Sequence, residues 1–178
     1  TDPCLIKPSA LGDVVQTLPL LSVLKERFPN AQISWVINSG LRDLLEGHPQ
    51  IDELISYNRH GSWKDSLRLL RELRRRKFDL VFDLQGLLRT GIMTFATRAK
   101  IRVGLESARE GSSAACHITL SDTDRFMPAH LRYWRVAEAL GLGNRNRETH
   151  IAISPPNQHW ASQRLGNLSR PVLAVNPG

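Results

Sequence analysis

Lys7-Pro8-Ser9-Ala10-Leu11-Gly12-Asp13-Val14-Val15-Gln16-Thr17-Leu18-Pro19 places a carboxylate, Asp13, at a strand-to-helix turn near the start of the sequence. Leu5 and Ile6 read as the end of a short buried strand and residues 9–12 as a tight turn. Val14, Leu18, Leu21, Leu24 and Phe28 form an apolar helical face. Turns of this kind, at the carboxyl ends of strands, are where open α/β folds bind ligands. A helix N-terminus also favours an ordinary carboxylate, through its free N–H groups and its dipole. Position alone therefore leaves a structural and a chemical reading of Asp13 open. Pro19 lies inside the helical pattern, where it removes a donor and crowds the preceding turn. A kink, or a helix starting one turn later, is predicted there, with residues 13–17 partly irregular and facing the cleft.

Outward from this turn, short apolar runs of strand length occur at residues 5–7, 33–37, 54–57, 80–84, 102–104 and 117–120. Helical patterns at 14–28, 41–46, 63–77, 88–98 and 131–140 lie between or after them. Such alternation predicts an α/β fold, a Rossmann-like open parallel sheet with helices on both faces. Asp83, Gln85 and Arg89 fall at or just past the carboxyl end of the strand at 80–84, in the expected ligand zone. Gly86 is expected to let the backbone approach a ligand. Arg89 and Arg109 are candidates for bidentate contact with a carboxylate or phosphate.

Composition bounds the function. The 178 residues, 41% hydrophobic, suffice for one sizeable core. A net charge of +7 and a pI near 10.1 point to an anionic partner. Most of the excess is local: from Arg59 to Lys77, eight Lys and Arg residues stand against two carboxylates. In the predicted helix at 63–77, Lys64, Arg68, Arg71 and Arg75 share one face, while Trp63, Leu67, Leu70 and Leu73 are expected to form the buried stripe. The basic face reads either as a solvated surface or as a contact for anionic lipid or glycolipid. Cys4 and Cys116 have neither metal nor disulfide spacing and read as packed thiols. Six dispersed histidines suggest no metal site, and no cofactor is expected. The first turn lacks Gly-x-Gly-x-x-Gly, and no nucleic-acid motif is present. No apolar run approaches the ~18 to 20 residues of a membrane span and no signal segment is seen, so a cytoplasmic location is expected.

Three segments, in order, resemble the family of ADP-heptose:lipopolysaccharide heptosyltransferases, glycosyltransferase family 9. The first is Lys7, Ser9, Gly12-Asp13 and Thr17-Leu18-Pro19. The second is Asp83-Leu84-Gln85-Gly86-Leu87-Leu88-Arg89, and a looser third is residues 104–110 followed by His130 and its helix. The resemblance implies the N-terminal, acceptor-side half of a two-domain GT-B glycosyltransferase. Residues 1–153 would form that domain. Residues 154–178 would be a linker with a helical pattern at 158–165 and, at 172–175, the first strand of a nucleotide-sugar domain. It implies inverting transfer of heptose from ADP-heptose to a lipid A/Kdo-type core acceptor, with Asp13 as general base. Lys7, Ser9, Gly12, Thr17, Asp83, Gln85, Gly86, Arg89 and Arg109 would contact substrate. It also implies peripheral contact with the inner face of the inner membrane, and a fragment inactive by itself. The competing expectation is a non-catalytic basic α/β module that binds anionic glycolipid or nucleic acid.

Overall fold

The computed structural model describes residues 1–166 together with Leu173 and Val175. Six strands, β1 (Pro3–Ile6), β2 (Ser34–Asn38), β3 (Glu53–Tyr57), β4 (Leu80–Asp83), β5 (Ile101–Leu105) and β6 (Ile118–Leu120), form one sheet. All neighbours are parallel, in the order β3-β2-β1-β4-β5-β6. The chain moves outward from β1 in one direction through β2 and β3, then returns to β4 on the other side of β1. The β1/β4 boundary is thus the point where strand order reverses, and connecting turns diverge there to leave a crevice.

Side-chain alternation explains how both faces are covered. Leu5, Trp35, Ile37 and Phe82 point to one face, under α1 (Leu11–Thr17), α2 (Pro19–Arg27) and α5 (Ala129–Ala139). Cys4, Ile6, Val36 and Val81 point to the other, under α3 (Trp63–Arg75) and α4 (Leu88–Ala96). Strands buried on both faces read as unbroken apolar runs, which is what the sequence displays. The two cysteines are free thiols that burial pushes up, Cys4 to about 12 and Cys116 to about 11. No helix among the described residues is long and apolar enough to cross a membrane.

Local structure departs from the sequence expectations in several places. Residues 13–17 are helical, not irregular, and belong to α1. The break comes at Leu18, and Pro19 occupies the first turn of α2, where no intrahelical donor is needed. The segment expected to be helical at 41–46 is a 3₁₀ turn, Ser39–Leu44, held by the Asn38 side chain accepting from the Gly40 N–H. A helix, α6 (Pro155–Leu165), is capped by Ser154 and buries no residue. The strand expected over 172–175 and the turn after it fall on segments that include residues outside the described set.

The stripe predicted for α3 is rotated. Leu69 and Leu73 are the buried pair, Leu67 and Leu70 are half-buried, and Trp63 is 72% exposed. Ser62 and Asp65 cap the helix reciprocally and fix the turn that carries Trp63. Leu69→Ala should therefore cost about 2–5 kcal/mol, whereas Trp63→Ala should stay within about 0.5 kcal/mol of the parent. Urea unfolding of both variants checks this, and equal losses would restore the unrotated stripe.

Candidate functional site

The crevice at the β1/β4 boundary is organised by a lysine. Lys7 follows directly on β1, and its side chain is 2% exposed. Its Nζ donates to Asp13 Oδ2 at 3.0 Å and to Gln85 Oε1 at 3.3 Å, and lies 5.0 Å from the centroid of the Tyr133 ring. Burial pulls this ammonium below the ordinary lysine range, and the adjacent Asp13 carboxylate pulls it back up. The Lys7 carbonyl accepts from Trp35 Nε1 at 3.1 Å, which fixes the backbone from the neighbouring strand. The Ser9 N–H donates to Gln85 Oε1 at 3.3 Å and ties the turn after β1 to the turn after β4.

Asp13 sits in the first turn of α1 with its side chain one-third exposed. One carboxylate oxygen, Oδ2, is held by Lys7, and the Tyr133 phenol lies beside the carboxylate. The cleft, about 360 Å³, is lined by Lys7, Asp13, Gln85, Ser107, Arg109, Arg125, Phe126, Arg132 and Tyr133, among others. Four cations against one carboxylate give the cleft a positive field. Arg132 Nε is buried and unpartnered among the described residues, and its guanidinium stacks 5.5 Å from the Tyr133 ring centroid. Burial, reinforced by Asp13, pushes the Tyr133 phenol above its ordinary range. A larger groove of about 860 Å³ runs along α3, but its Glu72 is committed to Arg76 and it offers no free carboxylate. Among the described residues, no three His, Cys, Asp or Glu side chains gather where they would share an ion.

Of the residues singled out in sequence, Lys7, Asp13, Gln85 and Arg109 meet around this cleft, with Ser9 joined through its backbone. Gly12 is exposed beside it, in open space. Others belong to the scaffold. Thr17 is fully buried, its hydroxyl donates to the Asp13 carbonyl at 2.8 Å, and it does not line the cleft. Asp83 is 1% exposed and accepts the Gln85 and Gly86 N–H groups at 3.1 and 2.9 Å. Gly86 has φ +66°, and a Cβ there would lie 2.8 Å from Ala108 Cα. The backbone that approaches Gly86 is therefore residues 107–109, not a ligand, and the Arg109 N–H seals the contact by donating to the Gly86 carbonyl at 2.7 Å. Arg89 is half-buried in the first turn of α4 and does not line the cleft. His130 is exposed and also lies outside its lining. Lys64, Arg68, Arg71 and Arg75 lie on α3, away from the cleft, where Arg68 pairs with Asp65 at 3.6 Å. Arg125, Arg132 and Tyr133 were missed. Their signal was position, since the start of a helix that follows a strand lies at the same sheet edge as Asp13.

A family model described as glycosyltransferase family 9 (heptosyltransferase) matches residues 66–178. The lipopolysaccharide core heptosyltransferase OpsX of Haemophilus influenzae is 27% identical over 175 residues, covering 98% of this chain and 50% of that protein. Lipopolysaccharide heptosyltransferase 1 of Pseudomonas aeruginosa is 32% identical over 120 residues, covering 60% of this chain and 33% of that protein. A solved glycosyl transferase family 9 structure from Veillonella parvula superposes with a TM-score of 0.74 at 25% identity, over 94% of this chain and 50% of that one. Escherichia coli ADP-heptose lps heptosyltransferase II shares the fold at 18% identity and a TM-score of 0.73, over 95% and 52%. The chain thus spans about half the length of OpsX and of these solved structures.

The turn after β4 generates a test. Burial raises the Asp83 carboxyl above its ordinary range, against the N–H bonds that lower it. Between the ordinary and the raised value the folded protein holds a proton that the unfolded chain has released, so the stability this group contributes falls as pH rises through that window. Asp83→Asn keeps an acceptor for both N–H groups and should remove that slope at little cost. Asp83→Ala should cost about 1–3 kcal/mol by leaving buried donors unpaired. Thermal unfolding of both variants across the acid range checks the pair, and equal losses would refute the acceptor role.

Proposed function

Because the chain belongs to glycosyltransferase family 9, the heptosyltransferases, we propose that it is the acceptor-side domain of an inverting GT-B enzyme. That enzyme transfers heptose from ADP-heptose to a lipopolysaccharide core acceptor of the lipid A/Kdo type. The observation that carries this reading is a single carboxylate, Asp13, held by buried Lys7 in a cleft lined by arginines at the strand-order reversal.

In the proposed step an acceptor hydroxyl oxygen attacks the anomeric carbon. The bond from that carbon to the β-phosphate oxygen breaks on the opposite face, and ADP carries away the electron pair. Asp13 takes the hydroxyl proton on the oxygen that Lys7 leaves free, which requires hydrogen-bond reach of ~2.6 to 3.2 Å. A weak base suffices, since positive charge builds on the sugar before the new bond is complete. Arg109, Arg125 and Arg132 are placed to bind the carboxylates or phosphates of the acceptor, and their planar forks suit such groups. Domain bounds at 1–153 and 154–178 accompany this reading, with the nucleotide sugar bound mainly by sequence outside this chain. Turnover therefore belongs to the whole protein that carries this sequence, not to the 178 residues alone.

The test is ADP release from ADP-heptose with a Kdo-lipid A acceptor, measured on that whole protein. Asp13→Ala should lower kcat by about a hundredfold or more. Lys7→Met should lower kcat by about ten- to a hundredfold, because it releases the base from its fixed position. Unchanged turnover in Asp13→Ala rejects the base. Absence of release by a folded whole protein favours the non-catalytic anion-binding module.

A further inference from the structure

Tyr133 of α5 is 2% exposed, and its ring belongs to the same apolar core as Leu5, Val14 and Leu105. A phenylalanine would fill that volume equally well. The hydroxyl therefore calls for a separate account, because a phenol buried in a core usually hydrogen-bonds a partner. The partner is Asp13: the phenol lies beside that carboxylate, where α5 packs against α1. The ring faces charge as well. Lys7 Nζ lies 5.0 Å and Arg132 Cζ 5.5 Å from its centroid. One side chain thus adjoins the candidate base, the cation that holds it, and an arginine of the cleft.

A lysine by itself fixes Asp13 incompletely. Its ammonium is a compact charge on a flexible stem, with three rotatable donors. The 3.0 Å bond to Oδ2 therefore sets a distance and leaves the carboxylate able to turn about it. Helix α1 adds little restraint. It is seven residues long, Asp13 lies in its first turn with the side chain one-third exposed, and its N-cap residue, Ala10, offers no capping oxygen. A second donor, arriving from a different element, fixes the plane of the carboxylate as well as its distance. An ionised carboxylate has about four lone-pair sites, so two protein donors still leave room for a substrate hydroxyl. Burial, and then Asp13 itself, push the phenol above its ordinary range, which keeps it protonated and a donor at neutral pH.

We propose that Tyr133 is a positioning residue for glycosyl transfer: its hydroxyl donates to the Asp13 carboxylate while its ring supports the Lys7 ammonium that holds the same group. Arg132 rests on that ring too, so the base and one of the groups placed to bind the acceptor share a single support. Tyr133 neither gains nor loses a proton in the reaction; the acceptor proton goes to Asp13. This role rests on the reading of Asp13 as general base.

ADP release by the whole protein, from ADP-heptose with a Kdo-lipid A acceptor, tests the role in two backgrounds. Tyr133→Phe keeps the ring and should lower kcat by about tenfold, through the loss of a hydrogen bond to a charged group. In a protein that already carries Asp13→Asn, the same change should cost about twofold or less, because a residue that acts through Asp13 then has no base to position. A packing defect would give equal losses in both backgrounds. With tyrosine isotopically labelled at its ring Cζ, the carbon resonance that vanishes in Tyr133→Phe should shift in Asp13→Asn, which reads the contact without turnover. Equal losses in the two backgrounds, parent turnover in Tyr133→Phe, or a Cζ resonance indifferent to Asp13→Asn would overturn the role of Tyr133 and leave Asp13 as base. Parent turnover in Asp13→Asn would reject the base itself, and this role with it.

Discussion

A lysine that is 2% exposed keeps its charge only when protein groups replace the water it has lost, and Lys7 has three. Asp13, Gln85 and the Tyr133 ring surround its ammonium, and they come from α1, the turn after β4, and α5. Removing any one would leave a buried cation under-solvated, so the three segments are locked together by a shared electrostatic need. The second oxygen of Asp13 is aimed as a by-product of this lock. A carboxylate on an ordinary helix N-terminus would keep its rotamers; this one has spent them on Lys7.

The lock works because the turns on either side are rigid for independent reasons. After β4, Asp83 gathers two N–H groups and Gly86 adopts a left-handed φ, so Gln85 is presented at a fixed angle. Residues 107–109 press on Gly86 from the next turn, and this carries Arg109 to the cleft rim. Residues that resemble a family signature therefore divide into those that face the cleft and those that hold the former in place. Thr17, Asp83 and Gly86 are of the second kind.

Positive charge is divided between two regions with different environments. In the cleft, arginines stand around one carboxylate and a buried cation. On the α3–α4 face, arginines are spread between exposed apolar side chains. Net charge alone does not distinguish these, since the field of a +7 chain is a sum and the two patches differ in what lies between the charges.

Much of this was legible in the sequence. Strand runs with buried alternate faces, helices between them, and the Asp13 turn at a strand end determined an open parallel sheet and the edge at which the candidate cleft lies. Those features depend on periodicities of two and 3.6 residues, which are local. The rotation of the α3 stripe and the apolar groove between α3 and α4 were not legible. Each depends on which segments pack against the helix from elsewhere in the chain. Arg125, Arg132 and Tyr133 reach Asp13 across more than a hundred residues, and no local pattern encodes that distance. Sequence by itself determined the sheet, the candidate base and its edge. Tertiary structure alone decided which neighbours Lys7 gathers and which surfaces stay uncovered, because burial and pairing are properties of segments brought together from afar.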